Sequence, residues 1–241
     1  MEPALEFMQS NSLSVFSLVW FLLCFKGYMF YAGLKSRGHA SLAGMMHHHR
    51  TRWMLKMLDR EVRIADTTIL ANLERSVSFF ASTSILILAG LVTVLGSTEQ
   101  AIDVVGDIPF SMPATRQEWE FKLLVMIALF IYAFFKFTWS IRQYGFVSVM
   151  LGGAPGSDEG LSEAQKQDYA SRMAKMSSKA ANNFNFGLRS YYFSLAVLGW
   201  FISPWIFMIL SSGVVIVLYR REFNSATLEV LTVDANMTRS S

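Results

Sequence analysis

The chain has 241 residues, of which 53% are hydrophobic and 16% are charged, and its mean hydropathy is positive at +0.35. Soluble domains carry about a quarter charged residues, so this composition excludes an ordinary water-soluble globular protein and indicates an integral membrane protein. The net charge of +3 comes from basic residues placed beside apolar stretches, which gives no case for a nucleic-acid partner.

Four apolar stretches are each long enough to cross a bilayer, which needs roughly 20 mostly apolar residues. They lie at about residues 13–32, 76–96, 121–140 and 191–219. They predict an all-α membrane protein in which residues 1–241 form a single four-helix transmembrane domain. The flank before the first stretch is acidic, unlike the basic start of a signal peptide, so this stretch is predicted to be an anchor. Pro204 is expected to kink the last stretch.

The distribution of Lys and Arg predicts how these spans are oriented. The loop at 33–75 holds eight basic residues and the loop at 141–190 holds six, whereas residues 97–120 hold one. Basic residues mark cytoplasmic loops. Loops 33–75 and 141–190 are therefore predicted to face the cytoplasm, with both chain termini on the non-cytoplasmic side. Arg220 and Arg221, just beyond the last span, do not fit this orientation.

Both cytoplasmic loops have the pattern of amphipathic helical extensions. Residues 51–71 repeat apolar side chains at three- and four-residue steps and continue into the second span without Pro or Gly. The other loop opens with helix breakers at 151–160, after which Ser162 and Gln165 form a capping box. Charged faces of this kind are typical of solvated helices. The alternative is that they lie at the inner headgroup layer beside anionic lipid.

The second span carries small and hydroxyl residues on two faces. On a helical wheel, one stripe contains Ser78, Ser82 and Ala89, and a nearly opposite stripe contains Thr83 and Gly90. Small residues let membrane helices approach closely. We therefore predict that these residues are helix-packing positions on a central helix that has neighbours on both sides.

One basic residue lies near the cytoplasmic end of each span, namely Lys26, Arg75, Lys136 and Arg189. Long basic side chains near helix ends can extend to the interface and anchor the helix. The alternative is a site for an anion or an anionic lipid headgroup, with Arg75 and Arg189 as its chief ligands. The polar residues expected to complete this site are Asp66, Asn72 and Glu74.

The sequence contains no pattern for catalysis or cofactor binding. The four spans contain no Asp, Glu or His, which argues against a carboxylate proton relay or a buried bis-His haem. No phosphate-binding loop, dinucleotide fingerprint or hydrolase motif occurs. The run His47, His48 and His49 has residues that bind metals, but adjacent helical residues do not share a face and no Cys or close acid completes a site. We predict no catalytic residue, metal site or cofactor, and leave the histidine run open.

Four short stretches resemble the bacterial and plant membrane family catalogued as domain of unknown function 599. They are RWM at Arg52–Met54, RIAD at Arg63–Asp66, NLERSVSFFASTSIL at Asn72–Leu86 and FNFGLRSYYF at Phe184–Phe193. The similarity covers roughly residues 10–220 and leaves out the histidine run and the last twenty residues. It implies a four-helix integral membrane protein, and we expect a multi-pass protein of a bacterial inner membrane. The resemblance implies no activity, substrate or catalytic residue.

Three classes of function remain open. The sequence favours a non-enzymatic helical bundle that assembles with itself or with other membrane proteins and holds an anionic lipid or small anion at its cytoplasmic face. The first alternative is a subunit of an oligomeric small-solute transporter or channel, since four helices rarely enclose a pathway alone. The second is an interfacial enzyme acting on lipid or quinone, for which no nucleophile–base pair is evident.

Overall fold

A computed structural model describes residues 12–35, 40–107, 112 and 115–237 of the protein. The regular elements in these ranges are all helical, which confirms the all-α prediction. In chain order they are α1 Ser12–Lys35, α2 Leu42–Leu58, α3 Ile64–Gly96, α4 Thr98–Gly106, α5 Arg116–Gly152, α6 Glu163–Ile202, α7 Pro204–Phe223 and α8 Ala226–Met237. Helix α1 includes a π-helical segment, Leu23–Gly27. Residues 1–11 and 238–241, the two chain ends whose sidedness is predicted above, lie outside the described residues.

Three of the described helices, α1, α3 and α5, are long and apolar enough to cross a membrane. They contain the first three predicted spans. Helix α3 has 33 residues and α5 has 37, whereas the hydrocarbon core needs about 20. Both helices therefore continue well beyond their apolar stretches.

The amphipathic pattern over 51–71 does not form one helix, because α2 ends and α3 begins within it. Asp66, in the first turn of α3, is fully buried. Its Oδ1 atom accepts hydrogen bonds from Trp53 Nε1 and Arg60 Nη1, each at 2.6 Å. A carboxylate is also stabilised near the positive end of a helix dipole. These bonds favour a turn and a new helix start where the hydrophobic periodicity alone continues.

The predicted fourth span, 191–219, is divided between two helices. Helix α6 ends at Ile202 and α7 begins at Pro204. Proline has no backbone N–H and its ring clashes with the preceding turn, so the break falls at the residue expected to kink this span. The range therefore contains the end of one helix and most of the next.

The chain reverses direction at this break. Close to it, the rings of Trp200 and Phe207 stack with centroids 4.8 Å apart. Farther away, Arg221 Nη1 donates a hydrogen bond to Tyr192 Oη at 2.8 Å. A Cβ atom at Gly199 would lie 2.7 Å from a side-chain carbon of α7, so this glycine permits close approach. The end of α6 and α7 thus form an antiparallel helical hairpin.

The chain divides into two compact units. Unit 1 comprises Met1–His39, Leu86–Ile131 and Arg189–Arg221, and unit 2 comprises Ala40–Ile85, Tyr132–Leu188 and Glu222–Ser241. Helices α3, α5 and α6 each contribute residues to both units.

The core of unit 1 is a cluster of aromatic side chains. Phe21 on α1 contacts Phe193 on α6 and Phe207 on α7, with ring centroids 5.7 and 5.0 Å apart. These three rings are almost completely buried. Aromatic pairs of this kind contribute about 0.5–1.5 kcal/mol beyond the burial of their surface. They hold α1 against the α6–α7 hairpin.

The core of unit 2 is packed from α2, α5 and α6. Met54, Val147 and Met173, one from each helix, are fully buried. Ser140 Oγ donates a hydrogen bond at 2.7 Å to the Ala180 carbonyl, which links α5 to α6. Helix α8 lies against α2 in the same unit. Buried hydroxyls and amides therefore accompany the apolar packing of this unit.

Candidate functional site

The residues predicted to form one anion site belong to different units. Unit 1 holds Lys26 and Arg189, whereas unit 2 holds Arg75, Lys136, Asp66, Asn72 and Glu74. Each group has contacts inside its own unit.

In unit 2, the acidic residues of the predicted site, Glu74 and Asp66, form hydrogen bonds with groups other than Arg75 and Arg189. Glu74 Oε1 accepts a hydrogen bond from Ser148 Oγ at 3.1 Å. Asp66 accepts hydrogen bonds from Trp53 and Arg60 at the turn between α2 and α3. Arg75 is exposed, and its Nη1 lies 3.5 Å from Asn72 Oδ1 on the same helix. Arg75 and Asn72 are therefore the members of the predicted site that unit 2 brings together.

Lys136 joins a different set of polar groups in unit 2. Its Nζ donates to Asn183 Oδ1 at 3.3 Å, and Asn183 Nδ2 donates to Gln143 Oε1 at 2.8 Å. The ammonium group also lies 5.5 Å from the ring centre of Tyr132 and 5.4 Å from that of Phe186. Cation–π contacts and an amide acceptor thus hold Lys136 on the α5–α6 pair.

The stretches that carry the family resemblance have clear structural roles. Trp53 and Asp66 fix the turn between α2 and α3. Arg63 donates hydrogen bonds to the carbonyl groups of Ala154 and Pro155, at 2.8 Å for Ala154. Arg63 thereby ties the start of α3 to the loop that follows α5. These residues hold the fold of unit 2.

The predicted packing residues of α3 have different exposures. Ser78 and Thr83 are half-buried, whereas Ser82, Ala89 and Gly90 are exposed. The buried positions of the helix are Asp66, Leu70, Val77, Ala81 and Ser84. In the described chain α3 has one buried face, and the stripe containing Ser82 and Ala89 is left open. Several hydroxyls bond back to their own helix, as Thr83 Oγ1 does to the Phe79 carbonyl at 2.8 Å.

Unit 1 contains an apolar groove between α1 and α7. Its volume is about 620 Å³, and its walls include Trp20, Tyr28 and Tyr31 from α1 and Ile216 and Tyr219 from α7. From Trp20 to Tyr31 it follows α1 for about 17 Å, at 1.5 Å per residue. These dimensions suit an extended hydrocarbon chain.

Polar contacts mark the two ends of the groove. At one end, Trp20 Nε1 donates a hydrogen bond to Ser212 Oγ at 3.1 Å. At the other, Lys35 Nζ donates to Tyr219 Oη and lies 4.5 Å from the centre of that ring. Because these contacts occur in the same order along both helices, α1 and α7 run in the same direction.

A second cation stands beside the groove. The guanidinium of Arg189 lies 5.2 Å from the ring centre of Tyr28, whose side chain lines the groove. Arg189, one of the seven residues predicted to bind an anion, is thus placed against a groove residue. Lys26 is exposed, and its ammonium lies 5.7 Å from the ring centre of Phe25.

The π-helical segment of α1 supplies part of the groove wall. Leu23, Cys24 and Gly27 all lie in this segment and line the groove. A Cβ atom added at Gly27 would meet nothing within 4 Å, so the missing side chain leaves the groove open. Single-turn π segments occur frequently at functional sites.

Sequence reasoning missed the groove because it treated 191–219 as one helix. With that assumption, α7 has no reason to lie beside α1. One signal was available, since Trp20, Tyr28 and Tyr31 place three amphipathic aromatic residues within a short part of the first span.

The histidine run lies on α2 in unit 2. His47 Nδ1 and Ser178 Oγ are 2.9 Å apart and form a hydrogen bond. The rings of His48 and His49 meet edge to face, with centroids 6.0 Å apart. Over the described ranges, no three His, Cys, Asp or Glu residues are grouped so that they could hold a metal ion.

Comparison with known families identifies the chain. The model of the family described as "Protein of unknown function, DUF599" matches residues 16–227. The chain belongs to this family. The match reaches from α1 into the start of α8, which confirms the resemblance found in the short motifs. No curated protein and no solved structure is significantly similar to it.

Proposed function

We propose that this DUF599 protein is a non-enzymatic membrane protein that holds an anionic lipid in the groove between α1 and α7. The acyl chain lies along the apolar walls, and the headgroup lies near Lys35 and Arg189. The observation that carries the proposal is the position of these two cations beside a groove whose walls are mostly apolar and aromatic.

The cations provide the selectivity in this proposal. Inside a bilayer, an acyl chain gains little by moving from other acyl chains to an apolar groove, since the two surroundings are equally apolar. An anionic headgroup gains about 1 kcal/mol for each Lys or Arg near the membrane surface. Lys35 and Arg189 therefore favour an anionic lipid over a zwitterionic one.

The location of the headgroup depends on membrane topology, and we propose five crossings in place of the four predicted from sequence. The crossings are α1, α3, α5, the last part of α6, and α7. Helix α7 has 20 residues, which is enough for one passage. The antiparallel contacts of the α6–α7 hairpin support two crossings in this range.

Five crossings also account for the basic residues that four crossings leave misplaced. Tyr219 contacts Lys35, which ends the first span and is assigned to the cytoplasmic side by the positive-inside rule. Arg220 and Arg221 follow Tyr219 directly. In this topology they are cytoplasmic, the C-terminus is cytoplasmic, and the N-terminus is outside. The headgroup end of the groove then lies in the cytoplasmic leaflet.

Labelling of single cysteines tests the topology. In a Cys24→Ser background, Asn224→Cys should react with a membrane-impermeant maleimide only after cells are permeabilised. Gln100→Cys provides the external control and Ser171→Cys the internal control, and all three positions are exposed or half-buried. Labelling of Asn224→Cys in intact cells would restore the topology with both termini outside.

Native mass spectrometry of the protein released from lipid nanodiscs tests the groove. The parent should retain an anionic phospholipid in preference to phosphatidylcholine. Gly27 lines the groove and a Cβ atom there would meet nothing within 4 Å, so Gly27→Leu should occupy groove space and reduce retention while the protein stays folded. Gly145→Leu is the matched control, because its Cβ also meets nothing within 4 Å but it lies on α5 in unit 2. If Gly27→Leu retained as much anionic phospholipid as Gly145→Leu, the groove would be eliminated as the lipid site.

Assembly with a second copy or another membrane protein is a further part of the proposed function. Its support is the exposed stripe of α3, where Ser82 and Ala89 leave room for another helix to approach. Native mass spectrometry of the parent and Ser82→Leu reports the number of subunits. A parent that is monomeric in nanodiscs would remove self-assembly from the proposal.

A further inference from the structure

Arg50 is a partly buried cation whose guanidinium has no acceptor in the part of the chain that the structure describes. It lies on α2 in the stripe that continues through Met54 and Met57, both fully buried. Arg50 itself is half-buried, and burial lowers the pKa of its guanidinium. A guanidinium has five N–H donors, and charges removed from water are normally paired. An unpaired, half-buried arginine on a packed helix face is therefore open to an anionic acceptor from elsewhere.

The groups around Arg50 make this region more positive. His47 lies one turn earlier on the same face of α2, and its Nδ1 is held 2.9 Å from Ser178 Oγ on α6. Lys175 is one turn before Ser178, so it faces the same side of α6. Burial first, and then the charges of Arg50, Lys175 and His48, lower the pKa of His47. Because the charge of Lys175 lowers the pKa of His47, the two side chains lie within electrostatic range of each other.

The third side of this cluster is formed by α5. Tyr144 is almost fully buried and lies within electrostatic range of Arg50. In the described chain, neither Arg50 nor Lys175 forms an ion pair with a carboxylate. Two permanent cations, a histidine and a phenol thus come together from three helices without a neutralising charge. Lys175 is exposed, which leaves the cluster accessible from outside.

We propose that Arg50, Lys175 and His47 form a binding site for a phosphate group. The planar guanidinium fork matches the oxygens of phosphate and can bind two of them at once. Lys175 supplies a second charge, and the imidazole of His47 supplies a further donor when it is protonated. The phosphate belongs to a lipid headgroup or to a soluble phosphate compound. This site lies in unit 2 and is separate from the groove of unit 1.

The first experiment measures phosphate binding by the purified full-length protein. Inorganic phosphate is titrated by calorimetry in detergent, with chloride exchanged to keep ionic strength constant. The parent should bind phosphate and unfold at a higher temperature in its presence. Absence of both effects would overturn the proposal.

Three variants test which residues form the site. Arg50→Gln should weaken phosphate binding by about tenfold or more, which is the order expected for loss of hydrogen bonds to a charged group. Lys175→Gln should weaken it several-fold. Lys56→Gln is the matched control, since Lys56 is an exposed cation on the same helix, and it should bind like the parent. Parent-like affinity in both Arg50→Gln and Lys175→Gln would overturn the proposal.

The stability of Arg50→Gln without phosphate separates a binding residue from a structural one. Because the substitution removes an unpaired, half-buried cation, its unfolding temperature should equal or exceed that of the parent. If Arg50 had a purely structural role, Arg50→Gln would unfold at a lower temperature than the parent. If Arg50→Gln unfolds early, and Lys175→Gln keeps the affinity of the parent, the site does not exist.

The source of the phosphate group is determined in nanodiscs. If a lipid headgroup occupies the site, inorganic phosphate should bind in phosphatidylcholine discs and be excluded from discs that contain phosphatidylglycerol. If the natural ligand is soluble, phosphate should bind equally in both. Either result supports a phosphate site, whereas binding in neither kind of disc would show that detergent alone created it and overturn the proposal.

Discussion

The two units share helices α3, α5 and α6 but differ in the contacts described above that hold these helices to their neighbours. Unit 1 is held by contacts between aromatic rings, such as those of Phe21 with Phe193 and Phe207. Unit 2 buries a carboxylate, Asp66, and a hydroxyl, Ser140, each with hydrogen-bond partners. Lipid offers no water to a polar group, so the buried polar groups of a membrane protein depend on partners within the protein. Unit 1 also buries two charged residues, Glu118 and Lys122, so the comparison concerns which contacts join the helices in each unit.

This comparison predicts that the largest losses of stability come from the polar contacts of unit 2. Asp66→Ala removes the acceptor shared by Trp53 and Arg60 and should lower the free energy of unfolding by about 3 kcal/mol. Thermal unfolding in detergent measures the effect. Asp59→Ala is the control, because Asp59 is an exposed carboxylate paired with Lys166 and surface ion pairs contribute about 0–1 kcal/mol. Similar losses in both variants would show that burial does not distinguish the two carboxylates.

Two glycines compare the rigidity of the units. A Cβ at Gly187 would lie 2.3 Å from a ring carbon of Phe137 in unit 2, whereas one at Gly199 would lie 2.7 Å from Leu210 Cδ1 and 2.9 Å from Ile206 Cγ2 in unit 1. Gly187→Ala should therefore destabilise by about 1–3 kcal/mol through overpacking. Gly199→Ala should cost less, because its Cβ atom overlaps its neighbours by a smaller distance. The reverse order of unfolding temperatures would contradict the comparison.

Loss of a single hydrogen bond in unit 1 should lower the free energy of unfolding by less than Asp66→Ala or Gly187→Ala does. Trp20→Phe keeps an aromatic ring in the groove and removes the bond from Nε1 to Ser212 Oγ. Because this pair is exposed in the chain, the loss should be about 0.5–1.5 kcal/mol. Ser212→Ala removes the same bond from the other side and should give the same shift in unfolding temperature. Clearly different shifts would indicate that the tryptophan acts through packing.

The smallest expected effect concerns pH and the cationic cluster of unit 2. Burial, together with neighbouring cations, lowers the pKa of His47 below its ordinary value of 6.5. The folded protein therefore binds this proton less readily than the unfolded chain, and stability should fall as pH drops below 6.5. Above that value the histidine should have no effect. His47→Gln should flatten this part of the profile of unfolding temperature against pH, and an unchanged profile would contradict the assignment.

Hydrophobic runs predicted α1, α3 and α5 because their length alone distinguishes a membrane span. The same reasoning failed at 191–219, where apolar residues continue through a reversal of the chain. Hydropathy cannot distinguish one long span from two helices packed on each other, and Pro204 was the only local signal. The predicted α2–α3 continuity failed for a related reason, since Asp66 starts a new helix through partners that become neighbours only in the folded chain.

The site residues were predicted with similar limits. Charge patterning selected Arg189 as a candidate site residue, but its contact with Tyr28 depends on tertiary packing. Arg50 was counted as one of many basic residues in a cytoplasmic loop. Its spacing from His47, Met54 and Met57 would have placed it on the packed face of α2, because these positions recur at three- and four-residue steps.

The π-helical segment of α1 sets the angular register of the groove. A π turn accommodates one more residue than an α turn, and each residue of a regular helix advances the side chains by about 100°. Leu23–Gly27 separates Trp20, which contacts Ser212, from Lys35, which contacts Tyr219. Removing one residue from this segment would turn the first half of α1 away from α7 while the second half kept its place. The extra residue thus rotates the two halves of α1 relative to each other, so that Trp20 in the first half and Lys35 in the second both face α7.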